Sequence, residues 1–202
     1  MPNNHLYSFR RCPYAMRARM ALVYAHIKVK IQDIDLKNKP TEMLEQSPKG
    51  SVPVLILKNG TVIDESLDIM IWALRQHDPE NWLSNLSENR EIIYQNDYYF
   101  KHALDRYKYP NRYPDEDCSY TRSDACKILI QLNERLETQP FLSNNHITLA
   151  DIAVFPFIRQ FAHVDREWFY NQSWKPLISW LDNHLSSQLF EKIMDKNLTQ
   201  LP

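Results

Sequence analysis

Cys12 stands directly before Pro13, where a short apolar run, Leu6 to Phe9, gives way to a helical pattern. Proline is favoured at the first position of a helix because its missing N–H would be unpaired there anyway, so Cys12 is expected near the N-cap. A sulfur at that point faces the open amides of the first turn and the positive end of the helix dipole, and both favour thiolate over thiol. Arg10 and Arg11, just before it, add to that bias. A lone cysteine is usually a small buried hydrophobe; the Cys-Pro pair at a strand-to-helix junction sets this one apart. The chemistry open to such a thiolate is attack on a disulfide sulfur.

Two other stretches carry groups suited to holding a ligand. Asp64, Glu65 and Ser66 fall where a helix is expected to begin, and the plain reading is capping by short polar side chains with dipole compensation. The same arrangement makes an anion site, since helix amides and the Ser66 hydroxyl can hold a carboxylate while Glu65 pairs with an ammonium. Pro53 lies inside the strand-like run Val52 to Leu57, where a proline removes a ladder hydrogen bond and belongs at an edge or bulge. Thr148-Leu-Ala-Asp151 has the spacing of a capping box, flanked by Ile147 and Ile152 as a hydrophobic staple, which makes Asp151 structural. The seven histidines form no HExxH and no i, i+4 pair, so no metal site is expected.

The elements that must position these residues differ between the two parts of the chain. Over the first 80 residues or so the period keeps changing. Leu6 to Phe9 reads as a strand, Pro13 to Ala25 as a helix, and Val29, Ile31 and Ile34 as a second strand. A short helix at Pro40 to Gln46 and a hairpin, Val52 to Leu57 with Thr61 to Ile63 around Lys58-Asn-Gly60, come next. A helix from about Glu65 to Gln76 buries Ile69, Trp72 and Ala73. Beyond Ser84 the pattern is helical, with Ile92, Ile93, Phe100, Ala103, Leu104 and Tyr107 on one stripe and Ala125, Ile128, Leu129, Leu132 and Leu136 on another. The expected division is an α/β domain over 1–78, a linker over 79–88 rich in Asn, Ser, Glu and Pro, and an all-α domain over 89–202.

Composition narrows the classes. Glycine is the telling count, 2 in 202, where about 7% is usual. That excludes a GxGxxG dinucleotide turn, a P-loop and a GxSxG elbow, each of which needs closely spaced glycines. A formal net charge of -1 gives no global field toward nucleic acid or an anionic membrane. Three cysteines, Cys12, Cys118 and Cys126, are an odd number with no CxxC spacing, which fits a reducing cytoplasm better than a disulfide framework; the latter two read as structural. No signal peptide is visible in Met1 to His5, and the apolar run Ile152 to Ile158, broken by Pro156, is far short of a membrane span. A soluble protein is expected.

The run Phe9-Arg-Arg-Cys-Pro-Tyr-Ala15 resembles the active-site turn of the glutaredoxin and glutathione transferase families, above all the omega-like cysteine transferases. The likeness extends through Leu36-Lys-Asn-Lys-Pro40, Val52-Pro-Val-Leu55 and Glu65-Ser66 in nearly the family's spacing. It implies a thioredoxin-like β-α-β-α-β-β-α domain followed by an all-α domain, with glutathione as co-substrate, no metal, and a homodimer. It implies Cys12 as the catalytic thiol and a cis Pro53 that leaves the Val52 main chain open to pair with the tripeptide. Glu65 and Ser66 become ligands of the γ-glutamyl end, and Lys39, with Lys37 as the alternative, a ligand of the glycine carboxylate. Glutaredoxin-type dithiol sites have a second cysteine three residues on; here that residue is Ala15, so the route is monothiol. Thiol transfer, deglutathionylation of small molecules or dehydroascorbate reduction would use these parts. Conjugation of glutathione to electrophiles, with Tyr7 or Ser8 as activator, and a non-catalytic scaffold of the same fold are the alternatives. The aromatic series Tyr94, Tyr98, Tyr99, Phe100, Tyr107, Tyr109 and Tyr113 mixes core positions with a possible second pocket for an apolar co-substrate.

Overall fold

The computed structural model describes residues Asn3–Leu201; residues 1, 2 and 202, at the ends of the expected domains, lie outside the described residues. The chain forms two compact units, one running through Leu83 and resuming at Ser186, the other Ser84–Leu185.

In the first unit β1 (Asn4–Ser8) leads through a turn into α1 (Pro13–Tyr24), which begins at Pro13 as the sequence pattern requires. Ala15, Met16, Ala18, Met20, Ala21 and Leu22 are fully buried, so α1 is enclosed on nearly every side; Arg17 and Arg19 are buried with them. β2 (Val29–Asp33) returns parallel to β1, with Leu6 opposite Ile31 and Ser8 opposite Asp33. After α2 (Thr41–Gln46), β3 (Val54–Ile56) pairs antiparallel with β1, and β4 (Val62–Ile63) completes a hairpin whose turn holds Gly60 at φ +87, a conformation open to glycine. α3 (Ser66–Gln76) then packs along α1. This is the expected β-α-β-α-β-β-α order.

The sheet has one strand more than expected. Its order is β4-β3-β1-β2-β5, where β5 (Gln200–Leu201) pairs antiparallel with β2, Val29 opposite Leu201. Leu201 is fully buried, and the Thr199 carbonyl accepts the Ile31 N–H at 2.8 Å. Residues 199–201 thus cover what would be an open sheet edge. α10 (Gln188–Met194) packs against α1.

The second unit is helical. α4 (Leu86–Tyr94) runs through a π-helical stretch, Gln95–Phe100, into α5 (Lys101–Lys108), and a 3-10 turn, Pro110–Arg112, follows. α6 (Thr121–Thr138), α7 (Leu149–Ala162), α8 (Arg166–Tyr170) and α9 (Lys175–Leu185) close around Phe155, Phe157, Phe161, Phe169, Leu177 and Leu181, all buried. α7 starts with the expected capping box of Thr148 and Asp151, and Pro156 lies inside it.

The division differs from the expected one at both ends. The boundary between the units, Leu83/Ser84, lies inside the 79–88 segment, which is anchored at its start. The Asp78 carboxylate accepts the N–H groups of Trp82 at 2.7 Å and Leu83 at 2.9 Å, Trp82 is buried with its ring stacked 3.5 Å from that of Tyr24, and α4 has begun by Leu86. At the other end 186–201 belongs with the α/β unit, so the helical unit stops at Leu185.

Candidate active site

Cys12 is the N-cap residue of α1, in an extended conformation (φ -74, ψ 123). Its N–H donates to the Phe9 carbonyl at 2.9 Å, closing the turn after β1, and its carbonyl accepts the Met16 N–H at 2.9 Å. The sulfur makes no capping bond to α1; it lies 3.8 Å from the Val52 carbonyl oxygen. It is half-buried, packed at the edge of an apolar cluster of Tyr7, Ile34, Met43, Val52, Val54 and Ile56.

Pairing of Tyr7 with Val54 sets the approach to β3 beside the end of β1, which is why Val52 reaches the Cys12 turn. The Val52–Pro53 peptide is cis, as the family resemblance implied.

The start of α3 departs from simple capping. Glu65 is the N-cap residue but makes no side-chain cap. Its carboxylate pairs with Lys49 Nζ at 2.5 Å, and Lys49 lies 3.3 Å from Asp64, which accepts the Ser47 hydroxyl at 2.7 Å. That Ser47 bond, against partial burial and with help from Lys49, holds Asp64 below the usual carboxylate range. Lys49, which partial burial would lower, is held above the ordinary lysine value by Glu65 and Asp64. Ser66 is buried, and its Oγ accepts Arg17 Nε at 3.0 Å.

Lys39 reaches the same loop. Gly50 has φ +60, and a Cβ there would stand 3.4 Å from Lys39 Nζ and 3.1 Å from the Leu44 side chain, so glycine serves both the backbone turn and the close passage of Lys39. Lys37 is exposed on the preceding turn. Cys12, Lys39, Val52, Pro53, Glu65 and Ser66 therefore all belong to one compact unit.

Tyr7 and Ser8, the alternative thiol activators, face inward. Tyr7 is buried with its hydroxyl 3.4 Å from Glu42, and burial, then that carboxylate, pushes the phenol above its ordinary value. Ser8 is fully buried, its Oγ accepting Arg19 Nη1 at 2.9 Å. Three cations were missed from the sequence: Arg17, Arg19 and Lys49. The arginines did carry a signal, since they interrupt an otherwise apolar helix that has no polar face for them; Lys49 carried none.

Residues 6–82 match the N-terminal domain of glutathione S-transferases, and residues 127–183 match their C-terminal domain. The chain belongs to the glutathione S-transferase family. Mouse glutathione S-transferase omega-1 is 42% identical over 62 residues, 31% of this chain and 26% of the mouse protein. Elongation factor 1-gamma of Drosophila melanogaster is 28% identical over 171 residues, 77% of this chain and 37% of that protein. Each match thus spans well under two thirds of the relative's own length. A glutathione transferase of Phanerochaete chrysosporium, solved with oxidized glutathione, superposes with a TM-score of 0.83 over 95% of this chain and 94% of its own at 17% identity, a likeness of fold.

In the helical unit of this transferase-family chain, Tyr94, Tyr98 and Tyr99 are exposed and line a cavity of about 890 Å³ with His102, Arg106 and Ile128. Phe100 is core, and Tyr107 packs on Phe161 with ring centroids 5.2 Å apart. Tyr109 and Tyr113 lie under the guanidinium groups of Arg112 (4.0 Å) and Arg106 (4.2 Å). Cys126 is half-buried and burial pushes its thiol up, against the pull of Arg122, the setting of an unreactive cysteine. Among the described residues no three His, Cys, Asp or Glu side chains come together as a metal site, and no helix is long and apolar enough to cross a membrane.

Proposed function

We propose that this family member is a monothiol glutathione-dependent thiol transferase acting through a mixed disulfide at Cys12. The observation that carries the reading is a half-buried sulfur at an uncapped helix start, with buried Ala15 where a second thiol would stand. In the first step the Cys12 thiolate attacks the glutathionyl sulfur of a mixed disulfide. The S–S bond of the substrate breaks, a Cys12–glutathione disulfide forms, and the departing thiolate takes a proton from water. In the second step a glutathione thiolate attacks the same glutathionyl sulfur, releasing glutathione disulfide and restoring the Cys12 thiolate. Electrons balance: one disulfide is consumed and one is formed. Dehydroascorbate would instead meet the reduced Cys12 thiolate: that thiolate and a first glutathione together give it two electrons, releasing ascorbate and leaving the Cys12–glutathione disulfide, which a second glutathione resolves as glutathione disulfide. The reducing thiol pool of the cytoplasm is the setting this cycle needs.

The tripeptide's cysteinyl main chain would pair with Val52 as an added strand beside cis-Pro53. Its γ-glutamyl ammonium would go to Glu65, its α-carboxylate to Ser66 and the amides of α3, and its glycine carboxylate to Lys39. Lys49 must leave Glu65 for the ligand's ammonium. That exchange is cheap, because an exposed ion pair contributes about 0–1 kcal/mol.

Conjugation to electrophiles is the second reading, and the inward hydroxyls of Tyr7 and Ser8 count against it. The non-catalytic alternative draws on the length of the match to elongation factor 1-gamma; Cys12, Glu65 and Ser66 together in one unit count against that. A homodimer is proposed on the family pattern. The test is intact mass after exposure to oxidised glutathione: one adduct of about 305 Da at Cys12, absent in Cys12→Ala, is expected. Labelling at Cys118 or Cys126 instead would reject the assignment. Turnover of an aryl halide but not of a small mixed disulfide would move the reading to conjugation.

A further inference from the structure

Arg19 is seven residues beyond Cys12 on α1, two helical turns, so both lie on one face about 10 Å apart along the axis. Helical side chains lean toward the N-terminus, and the Arg19 side chain does so. Its Nη2 donates to the Arg10 carbonyl at 2.7 Å and its Nη1 to Ser8 Oγ at 2.9 Å. Those partners flank Phe9, whose carbonyl receives the Cys12 N–H. The guanidinium therefore braces, from inside, both sides of the turn that presents the sulfur.

Its charge is poorly matched. Arg19 is 1% exposed, a cation almost wholly out of water. Its nearest carboxylate, Asp33 at the end of β2, is 3.7 Å from Nη1 with its own side chain 48% exposed. Arg19 Nε is buried with no hydrogen-bond partner among the described residues. Buried charges are ordinarily closely paired and fully hydrogen-bonded; this one has a single half-exposed carboxylate at 3.7 Å and one N–H left unbonded.

We propose that Arg19 is a positioning residue for Cys12, fixing the turn that carries the sulfur and, with its under-balanced buried charge, favouring the thiolate. The charged groups around the cluster come from three places: Arg10 in the turn after β1, Asp33 on β2, and Arg19 itself on α1. α10 contributes the Met194 carbonyl, 3.5 Å from Arg10 Nη1. Burial brings the Arg19 guanidinium down to about 10, while Asp33 and then the Cys12 charge push it back up and Arg10 opposes them. Such coupling is reciprocal: whatever the thiolate does to stabilise the cation, the cation does for the thiolate.

The inference deepens the proposed function and rests on Cys12 as the reacting sulfur. Its test reads the sulfur and not glutathione turnover, so the two can fail separately. The rate of iodoacetamide alkylation at the Cys12 peptide, followed by mass against pH, gives the midpoint of thiolate formation. Arg19→Met should raise that midpoint by about one pH unit or more and slow alkylation at neutral pH about tenfold. Asp33→Asn, at an exposed position that a folded chain tolerates, should move it the other way. Arg19→Lys, keeping charge without the fork, should fall between wild type and Arg19→Met. A cooperatively folded Arg19→Met with an unmoved midpoint would overturn the proposal. If that variant does not fold, an Asp33→Asn midpoint that stays put or rises overturns it instead.

Discussion

The starts of α7, at Thr148, and of α1, at Cys12, are finished in opposite ways. At the head of α7, Thr148 and Asp151 close a capping box, and Asp151 accepts four donors: the Leu142 and Thr148 N–H groups, the Thr148 hydroxyl and the Trp180 indole N–H, all at 2.8–2.9 Å. At the head of α1, Cys12 caps nothing, and the buried arginine behind it lacks a full set of partners. A helix start always exposes unpaired amides. Where a side chain of the chain caps them, the result is a rigid joint; where the N-cap side chain does not, the positive end of the helix is a place for a negative charge. On the proposed function, the contrast teaches that a helix start without a side-chain cap is where a thiolate would be held, and it can be attacked from either side.

The largest effect should come from opening the closed start. Asp151→Ala leaves several buried donors without an acceptor and should cost about 3–5 kcal/mol, seen as a lower urea midpoint with an unchanged slope. A loss below about 1 kcal/mol would mean Asp151 is not the joint it looks like.

The same corner sets the acid limit. Burial holds His184 down to about 4, with the Asp151 charge pulling the other way. An unfolded histidine titrates near 6.5. Between those values the unfolded chain binds a proton that the folded chain refuses, so stability is present above about pH 6.5 and falls as pH drops toward 4, by about 3 kcal/mol in all. Urea midpoints at pH 7.5 and 4.5 for wild type and His184→Phe check this. Equal falls in both would remove the imidazole as the cause.

How much of this was legible in the sequence depends on range. The order β-α-β-α-β-β-α, the N-cap place of Cys12 and the capping box at Thr148 were readable, because local spacing and a single proline or threonine decide them. β5 was not, since two residues, Gln200 and Leu201, carry no period and gain their strand only from the β2 edge. Nor was the engagement of Glu65 by Lys49 and of Ser66 by Arg17, for these partners meet through the fold, 16 and 49 residues apart. The boundary between the units falls inside the 79–88 segment read from its polar composition, while its anchoring by Trp82 and the Asp78 carboxylate forms through the fold and was not legible.

β5 also offers a smaller test of where the reactive unit ends. Leu201 is fully buried in a two-residue strand, so Leu201→Ala should cost about 2 kcal/mol. Loss of protection at the Ile31 amide, whose hydrogen bond goes to Thr199, should accompany it in hydrogen exchange. A neutral substitution would detach the last residues from the α/β unit and leave the β2 edge effectively open.

The smallest change in stability should accompany the largest change in chemistry. Because the Cys12 sulfur does not cap α1, replacing it by a good cap residue removes no capping bond and can add one. Cys12→Ser should therefore hold or raise stability by about 0.5–1 kcal/mol while abolishing exchange with a glutathionyl disulfide. The gain follows from the contrast between the two starts: serine would make α1 resemble α7 by adding the side-chain cap that Cys12 does not make. A Cys12→Ser chain destabilised by more than about 1 kcal/mol would show that the sulfur's packing against Tyr7, Val52 and Val54 matters more than the open helix end, and the contrast would then rest on apolar burial rather than on unsatisfied amides.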